Sequence, residues 1–314
     1  LFSGLAFDDI VYFYRKWKGA NQHMREQQKI SVRFFNDREV RAAWDDERSK
    51  WWFSVLDIVS VLNEEDDYTK VRNYWKYLKY KLKKNNKLVS STNQLKLTAN
   101  DGKKYKTDLL DSQGIIELTK NFPNNKATKF LDWFLYSDTS IDGQSKKKAY
   151  TLFESNLIND HEVGTTKGLQ QIHAYLFGGL YDFAGKIRGI SISKGGYRFV
   201  YAKLLKVTLH QIDGMPQSTL DEIILKYSEM NKAHPFMEGN GRSTRIWLDF
   251  MLKKNLKKCV DWSLITKENY MNAMIISTVD SSVIMQLFEP ALTENIDDRE
   301  MFMKGIDYSY YYEE

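Results

Sequence analysis

A single helix cannot run through "HPFMEGNGRSTR", His234 to Arg245. Proline disfavours helical geometry in the residue before it, and two glycines around an asparagine weaken whatever helix they enter. On both sides, however, the pattern is helical. "STLDEIILKYSEMNKA" opens with a capping box, Thr219 to Glu222, and sets Leu220, Ile223, Ile224, Tyr227 and Met230 at helical spacing. "RSTRIWLDFMLKKN" resumes as an apolar helix with lysines toward its carboxyl end. The chain must therefore fold into two helices joined by a tight turn, with the polar groups of the motif gathered at the start of the second.

That placement has chemical consequences. Gly239, Asn240 and Gly241 let a ligand approach the backbone, and the unpaired amides of a helix amino terminus attract anions, so the turn reads as a phosphate cradle. Arg242 and Arg245 share a helix face and suit two phosphates of one polyphosphate chain. Glu238 offers a hard oxygen ligand to Mg2+ bridging those phosphates, and His234 a base for an incoming hydroxyl. Other nucleotide motifs do not fit. A P-loop needs a lysine and a different glycine spacing, and a dinucleotide fingerprint needs a glycine where Thr244 stands. His23, His161, His173, His210 and His234 lack paired metal-ligand spacing, which argues against zinc.

The remainder divides by texture. At 314 residues, 42% hydrophobic, there is material for two domains, and the net charge of +5 is too mild to define a partner. One cysteine, Cys259, excludes an internal disulfide and suits a reducing, cytoplasmic setting; no apolar run is long enough for a spanning helix, so no membrane partner is expected. Residues 1–28 read as an amino-terminal extension, with Met24 a candidate native start. Residues 29–140 read as a smaller α+β domain, with "ISVRFF" and "KLTAN" as strands and "FSVLDIVSVLN" as a helix. Within it, residues 70–87 carry eight basic residues, no acid and interleaved aromatics. Two readings stand: a helix packed through its aromatics under a solvated basic face, or a surface for a phosphate backbone. "SDTSIDGQSKKKAY" reads as a junction, and residues 141–314 as a second domain; the fold class is mainly α. "RGISISKGGYRF", Arg188 to Phe199, reads as a β-hairpin inside the helical part, either a plain surface hairpin or a flap whose open edge pairs with a target segment. "DDREMFMKGIDYSYYYEE" reads as a closing amphipathic helix with Ser309 and Glu313 on one face.

Two resemblances add to this reading. "WWFSVLDIVSVLN", "NYWKYLK", "YKTDLLDSQGIIEL" and "FLDWF", over Ser31 to Tyr136, resemble the amino-terminal domain of BRO-type phage antirepressors. That resemblance implies a DNA contact, for which residues 70–87 are the candidate, and assigns no base-reading residue. His234, Phe236, Glu238, Gly239, Asn240, Gly241, Arg242 and Arg245 fill every fixed position of the Fic motif, His-x-Phe-x-Asp/Glu-Gly-Asn-Gly-Arg-x-x-Arg. The likeness runs from Leu152 to Glu314 and includes "LQQIHAYLFGGLYDFAGKIR".

The Fic resemblance implies a helical bacterial enzyme that moves AMP from ATP, with Mg2+, onto a hydroxyl of a target protein, DNA topoisomerases being one candidate. It assigns His234 as general base, Glu238 as magnesium ligand, Gly239 to Arg242 as phosphate nest, Arg245 to the terminal phosphate and Phe236 as core anchor. It favours the flap reading for Ile190, Ser191 and Ile192. Ser309 and Glu313 resemble the Ser/Thr-x-x-x-Glu-Gly/Asn inhibitory motif, in which the glutamate pairs with the second motif arginine; Glu314 departs from that pattern. Tyr308, Tyr310, Tyr311 and Tyr312 are then candidate self-modification sites. Alternatives are a DNA-binding regulator with a nucleotide-sensing Fic domain, removal of AMP, or phosphotransfer.

Overall fold

The computed structural model describes residues 29–84, 92–98 and 103–313 except 195 and 278. The extension with Met24, residues 85–87 of the basic stretch, Gly195 at the hairpin turn and Glu314 lie outside the described residues. The chain forms two compact units, Lys29–Lys147 and Lys148–Glu313, and the division falls inside a helix, α5 (Ile141–Glu154).

The first unit is built on an antiparallel sheet in the order β1-β2-β3-β5-β4: β1 (Ile30–Phe35), β2 (Arg38–Asp45), β3 (Lys50–Ser54), β4 (Thr92–Thr98) and β5 (Lys104–Leu110). Strand alternation sends neighbouring residues to opposite faces. Val40, Ala42, Phe53 and Leu110 therefore join one core, with helices α1 (Val55–Asn63), α2 (Tyr68–Lys84), α3 (Ser112–Thr119) and α4 (Asn124–Tyr136). Ala43, Trp52 and Leu109 join a second cluster with Ile30 and Leu97. Ser54 and Asp111 cap α1 and α3 by accepting from Asp57 and Gly114 amides, so each strand passes directly into a capped helix.

Helix α2 answers part of the question that residues 70–87 raised. Val71, Trp75, Leu78 and Leu82 are buried, whereas Tyr77 and Tyr80 are 64% and 69% exposed beside the lysines. The aromatics thus divide: Trp75 packs inward and donates its indole N–H to Asp108 Oδ2 at 2.9 Å, while the two tyrosines face solvent.

The second unit is helical: α6 (Thr166–Phe177), α7 (Ala202–Asp213), α8 (Leu220–Ala233), α9 (Asn240–Leu256), α10 (Lys267–Ile276), α11 (Ser282–Phe288) and α12 (Arg299–Tyr311). Two short strand pairs interrupt it, β6 (Ser193–Lys194) with β7 (Tyr197–Arg198) and β8 (Cys259–Val260) with β9 (Leu292–Thr293). The capping box at α8 is present in full, and the helix stops at Ala233, one residue before His234. Helix α9 is the central element. Ile246, Trp247, Leu248, Phe250, Met251 and Leu252 are all buried, so it has no solvated stripe along its middle and behaves as a core helix. Trp247 donates to Thr165 O at 3.1 Å, and Asp249 accepts from Val260 N and the Trp262 indole. These contacts leave the amino-terminal end of α9 as the place where its polar groups collect.

Candidate active site at the start of helix α9

His234 ends α8 in the left-handed conformation, φ 48°, ψ 64°. A histidine with positive φ is uncommon, and the surroundings over-determine it. Its amide donates to Met230 O at 3.0 Å, its ring stacks on Phe199 with centroids 3.7 Å apart, and its carbonyl accepts from Arg188 Nε at 2.7 Å. Burial pushes the imidazole down to about 4, so it is neutral at pH 7. A neutral ring keeps one nitrogen able to take a proton.

Three residues that sequence reasoning did not single out hold this loop. Arg188 is 4% exposed and donates to four carbonyls, His234, Ile190, Val200 and Ala233, at 2.6–3.0 Å. It ties the base of the hairpin to the histidine turn. Its partners lie up to 46 positions away, so no local pattern could reveal the role. His173, on α6, accepts at Nδ1 from Gly185 N, which leaves Nε2 protonated to donate to Glu238 O at 2.9 Å. Its ring stacks on Phe236 at 3.8 Å, and burial also holds it down to about 4. A lone histidine on a helix is most often a packed residue, and this one is packed; its added role is to hold the motif loop from beneath. Phe199 is the third.

Phe236 is fully buried, as a core anchor should be. The side chain of Asn240 is spent on Phe236, accepting from that amide and donating to that carbonyl, both at 2.8 Å. Asn240 shapes the turn, and only its main-chain amide is left to face an anion. Gly239 has φ 80° and a Cβ there would stand 2.5 Å from Phe177, so only glycine fits. The carboxylate of Glu238 accepts from Arg242 Nη2 at 2.7 Å and from Gly239 N at 3.0 Å, with the glutamate side chain 56% exposed.

Arg242 and Arg245, expected to act as a pair, have different partners. Arg242 pairs with Glu238 and lies over Phe177. Arg245 is fully committed: Nε donates to Ser309 Oγ at 2.8 Å, Nη1 to Tyr270 OH at 3.2 Å, and Nη2 to Ser309 O and to Glu313 Oε1, the last at 2.7 Å. Ser309 and Glu313 thus meet the same guanidinium from α12 and its end. Burial works against the Glu313 charge, but Arg245 beside it holds the carboxyl down to about 2. The carboxylate lies directly over the first turn of α9, where a Cβ on Gly241 would be 1.9 Å from Oε1.

Two expectations about the tail and the hairpin are corrected. Tyr308, Tyr310 and Tyr312 are each at most 9% exposed, and the Tyr312 hydroxyl donates to the carbonyls of Trp262 and Ile265, so these tyrosines are core groups and not presented acceptors. The hairpin forms, but its strands are two residues each. Ile190, Ser191 and Ile192 precede β6: Ile190 O accepts from Arg188, Ser191 Oγ from Ala202 N, and Ile192 O from Phe199 N. That open edge is shorter than the alternating sequence implies, because the arginine beneath it takes up a carbonyl.

A loop rich in amides and arginines at a helix start, beside a neutral histidine, has the chemistry to receive an anionic ligand next to a base. The Fic/DOC family profile matches residues 164–252, and the BRO family amino-terminal domain profile matches residues 39–139; the chain carries both domains. It is 29% identical over 138 residues to protein adenylyltransferase VbhT of Bartonella schoenbuchensis, covering 40% of this chain and 29% of that protein. It is 28% identical over 199 residues to a protein adenylyltransferase of Bartonella henselae, covering 54% and 35%. The chain thus spans about a third of the length of these two relatives. Among solved structures, BepC of Bartonella tribocorum with bound AMPPNP is 22% identical with a TM-score of 0.42, covering 55% of this chain and 92% of that one.

Proposed function

We propose that the chain transfers AMP from ATP to a hydroxyl of a target protein and that its carboxyl-terminal helix restrains the reaction. The observation that carries this reading is the Glu313 carboxylate, an anion seated over Gly241 and gripped by Arg245, beside the neutral imidazole of His234. Such a seat suits the end of a triphosphate, since the amides of a first helical turn and a guanidinium both favour phosphate oxygens. The relatives named protein adenylyltransferase support the same chemistry.

In this reading the target hydroxyl gives its proton to His234 as its oxygen attacks the α-phosphorus. The bond from that phosphorus to the bridging oxygen breaks, and pyrophosphate leaves. Gly239 to Arg242 and Arg245 orient the phosphates through amides and guanidinium groups. Mg2+ is held by few protein carboxylates together with substrate phosphates, and Glu238 is the exposed carboxylate at this helix start, so the residues fit. When bound, the ion neutralises charge on the phosphates. Arg242, which pairs with Glu238 here, would be the neighbouring cation for the phosphates.

With Glu313 in place the terminal phosphate has no room, because one anion already fills its position. The hairpin would aim a target segment through main-chain pairing at Ile190 to Ile192, which selects shape over sequence. The single, partly buried Cys259 suits a cytoplasmic setting. Incubation with ATP labelled at the α or the γ position separates the alternatives. Label on protein from the α position alone is the expected result; label from γ alone would assign phosphotransfer instead.

A second reading concerns the first unit. Exposed Tyr77 and Tyr80 among lysines on α2 offer stacking faces and phosphate partners together, which favours contact with DNA. The expected result is DNA retention that falls steeply between low and physiological salt and weakens in a Tyr77→Ala/Tyr80→Ala variant. Retention insensitive to both would remove this reading.

A further inference from the structure

We propose that Lys194, on the β-hairpin, is a second cation for the terminal phosphate and so sets the preference for a nucleoside triphosphate over a diphosphate. This rests on the nucleotide-binding reading above and adds a residue to it. The evidence is how the Glu313 carboxylate is shared. Oε1 meets Arg245 Nη2 at 2.7 Å, while Oε2 faces Lys194 Nζ at 3.4 Å. The carboxylate lies over the first turn of α9, and each of its oxygens has its own cation.

The charges around this position limit the alternatives. A terminal phosphate carries about two negative charges near neutral pH. Arg245 supplies one positive charge, and three of its contacts go to Ser309 and Tyr270 whether or not Glu313 is present. Arg242 reaches Glu238, on the other side of the cradle. Of the hairpin's other cations, Arg188 is taken up by four carbonyls and Arg198 donates to Tyr201 OH at 2.9 Å. Lys194 is left as the cation beside the carboxylate that the core does not commit. Its side chain is 65% exposed, so it can follow a larger anion at little cost. Lysine is suited to this, as a mobile point charge that needs no fixed fork geometry. The charge of Lys194 also acts on both Glu313 and His234.

The same lysine then has two partners in turn. In the resting chain it straps the hairpin to the tail glutamate; once that carboxylate leaves, it grips the phosphate that replaces it. Hairpin position and triphosphate occupancy become linked through one ammonium group.

Calorimetry on the Glu313→Gly protein with Mg-ATP and Mg-ADP tests this without any target or turnover. Adding Lys194→Ala is expected to weaken ATP binding about tenfold, the scale of one lost charge-assisted contact, and ADP binding by no more than about twofold. Lys194→Arg in the same background should restore most of the ATP affinity. Equal weakening of both nucleotides, or no change in either, overturns the role of Lys194 while leaving the nucleotide reading standing. Failure of the Glu313→Gly protein to bind either nucleotide overturns both.

Discussion

Glu313→Gly raises transfer of AMP to protein about tenfold to a hundredfold, the factor expected when a charge-assisted contact of roughly 1.5–3 kcal/mol no longer has to be broken. The carboxylate is ionised throughout the neutral range, because Arg245 holds it down to about 2. Under the proposed restraint it would compete for the phosphate seat throughout the working pH range. Removing it leaves Arg245 bonded to Ser309 and Tyr270, so the guanidinium keeps its place. Tyr312 still anchors the tail through Trp262 and Ile265. The substitution thus empties the seat without dismantling its walls. Incorporation of α-labelled ATP into protein measures it, and a rate equal to or below the parent's removes the restraint from the scheme.

His234→Ala in the Glu313→Gly background should lower that restored rate by roughly 10²- to 10⁴-fold, the range for loss of a positioned general base. The imidazole stays neutral down to about pH 4 because burial disfavours its charged form, so the base is available across the physiological range. Nucleotide affinity should change little, since the proposed phosphate seat draws on α9 and Arg245 and not on the imidazole. Unchanged transfer would place the base elsewhere; loss of nucleotide binding in parallel would make the histidine a structural support of the loop.

Much of the site could be read along the chain. The capping box, the proline after His234 and the glycines placed the helix ends correctly, because caps and φ preferences act within a few residues. The pairing of Glu313 with Arg245 was legible from the family resemblance, and the geometry brings the two together; that Ser309 meets the same guanidinium was not. The side chain of Asn240 was not legible, since sequence shows that an asparagine lies in the cradle but not whether its amide group turns outward or back onto Phe236. Tyr308, Tyr310 and Tyr312 were misread as accessible. Aromatics near a chain end look accessible until a second helix covers them. The hairpin's length was overestimated because alternation was visible and the arginine beneath it was not.

The order of residues alone determined which groups meet at one helix start, since His234 to Arg245 are joined by a turn too short to separate them. Only the tertiary structure decided what those groups face. Arg188 and His173 reach the loop from distant segments, and Glu313 arrives from the far end of the described chain, 68 positions beyond Arg245. The physical reason is range: backbone preferences and helix caps act over a few bonds, whereas the charge, burial and protonation of a site depend on whatever packing brings within a few ångströms.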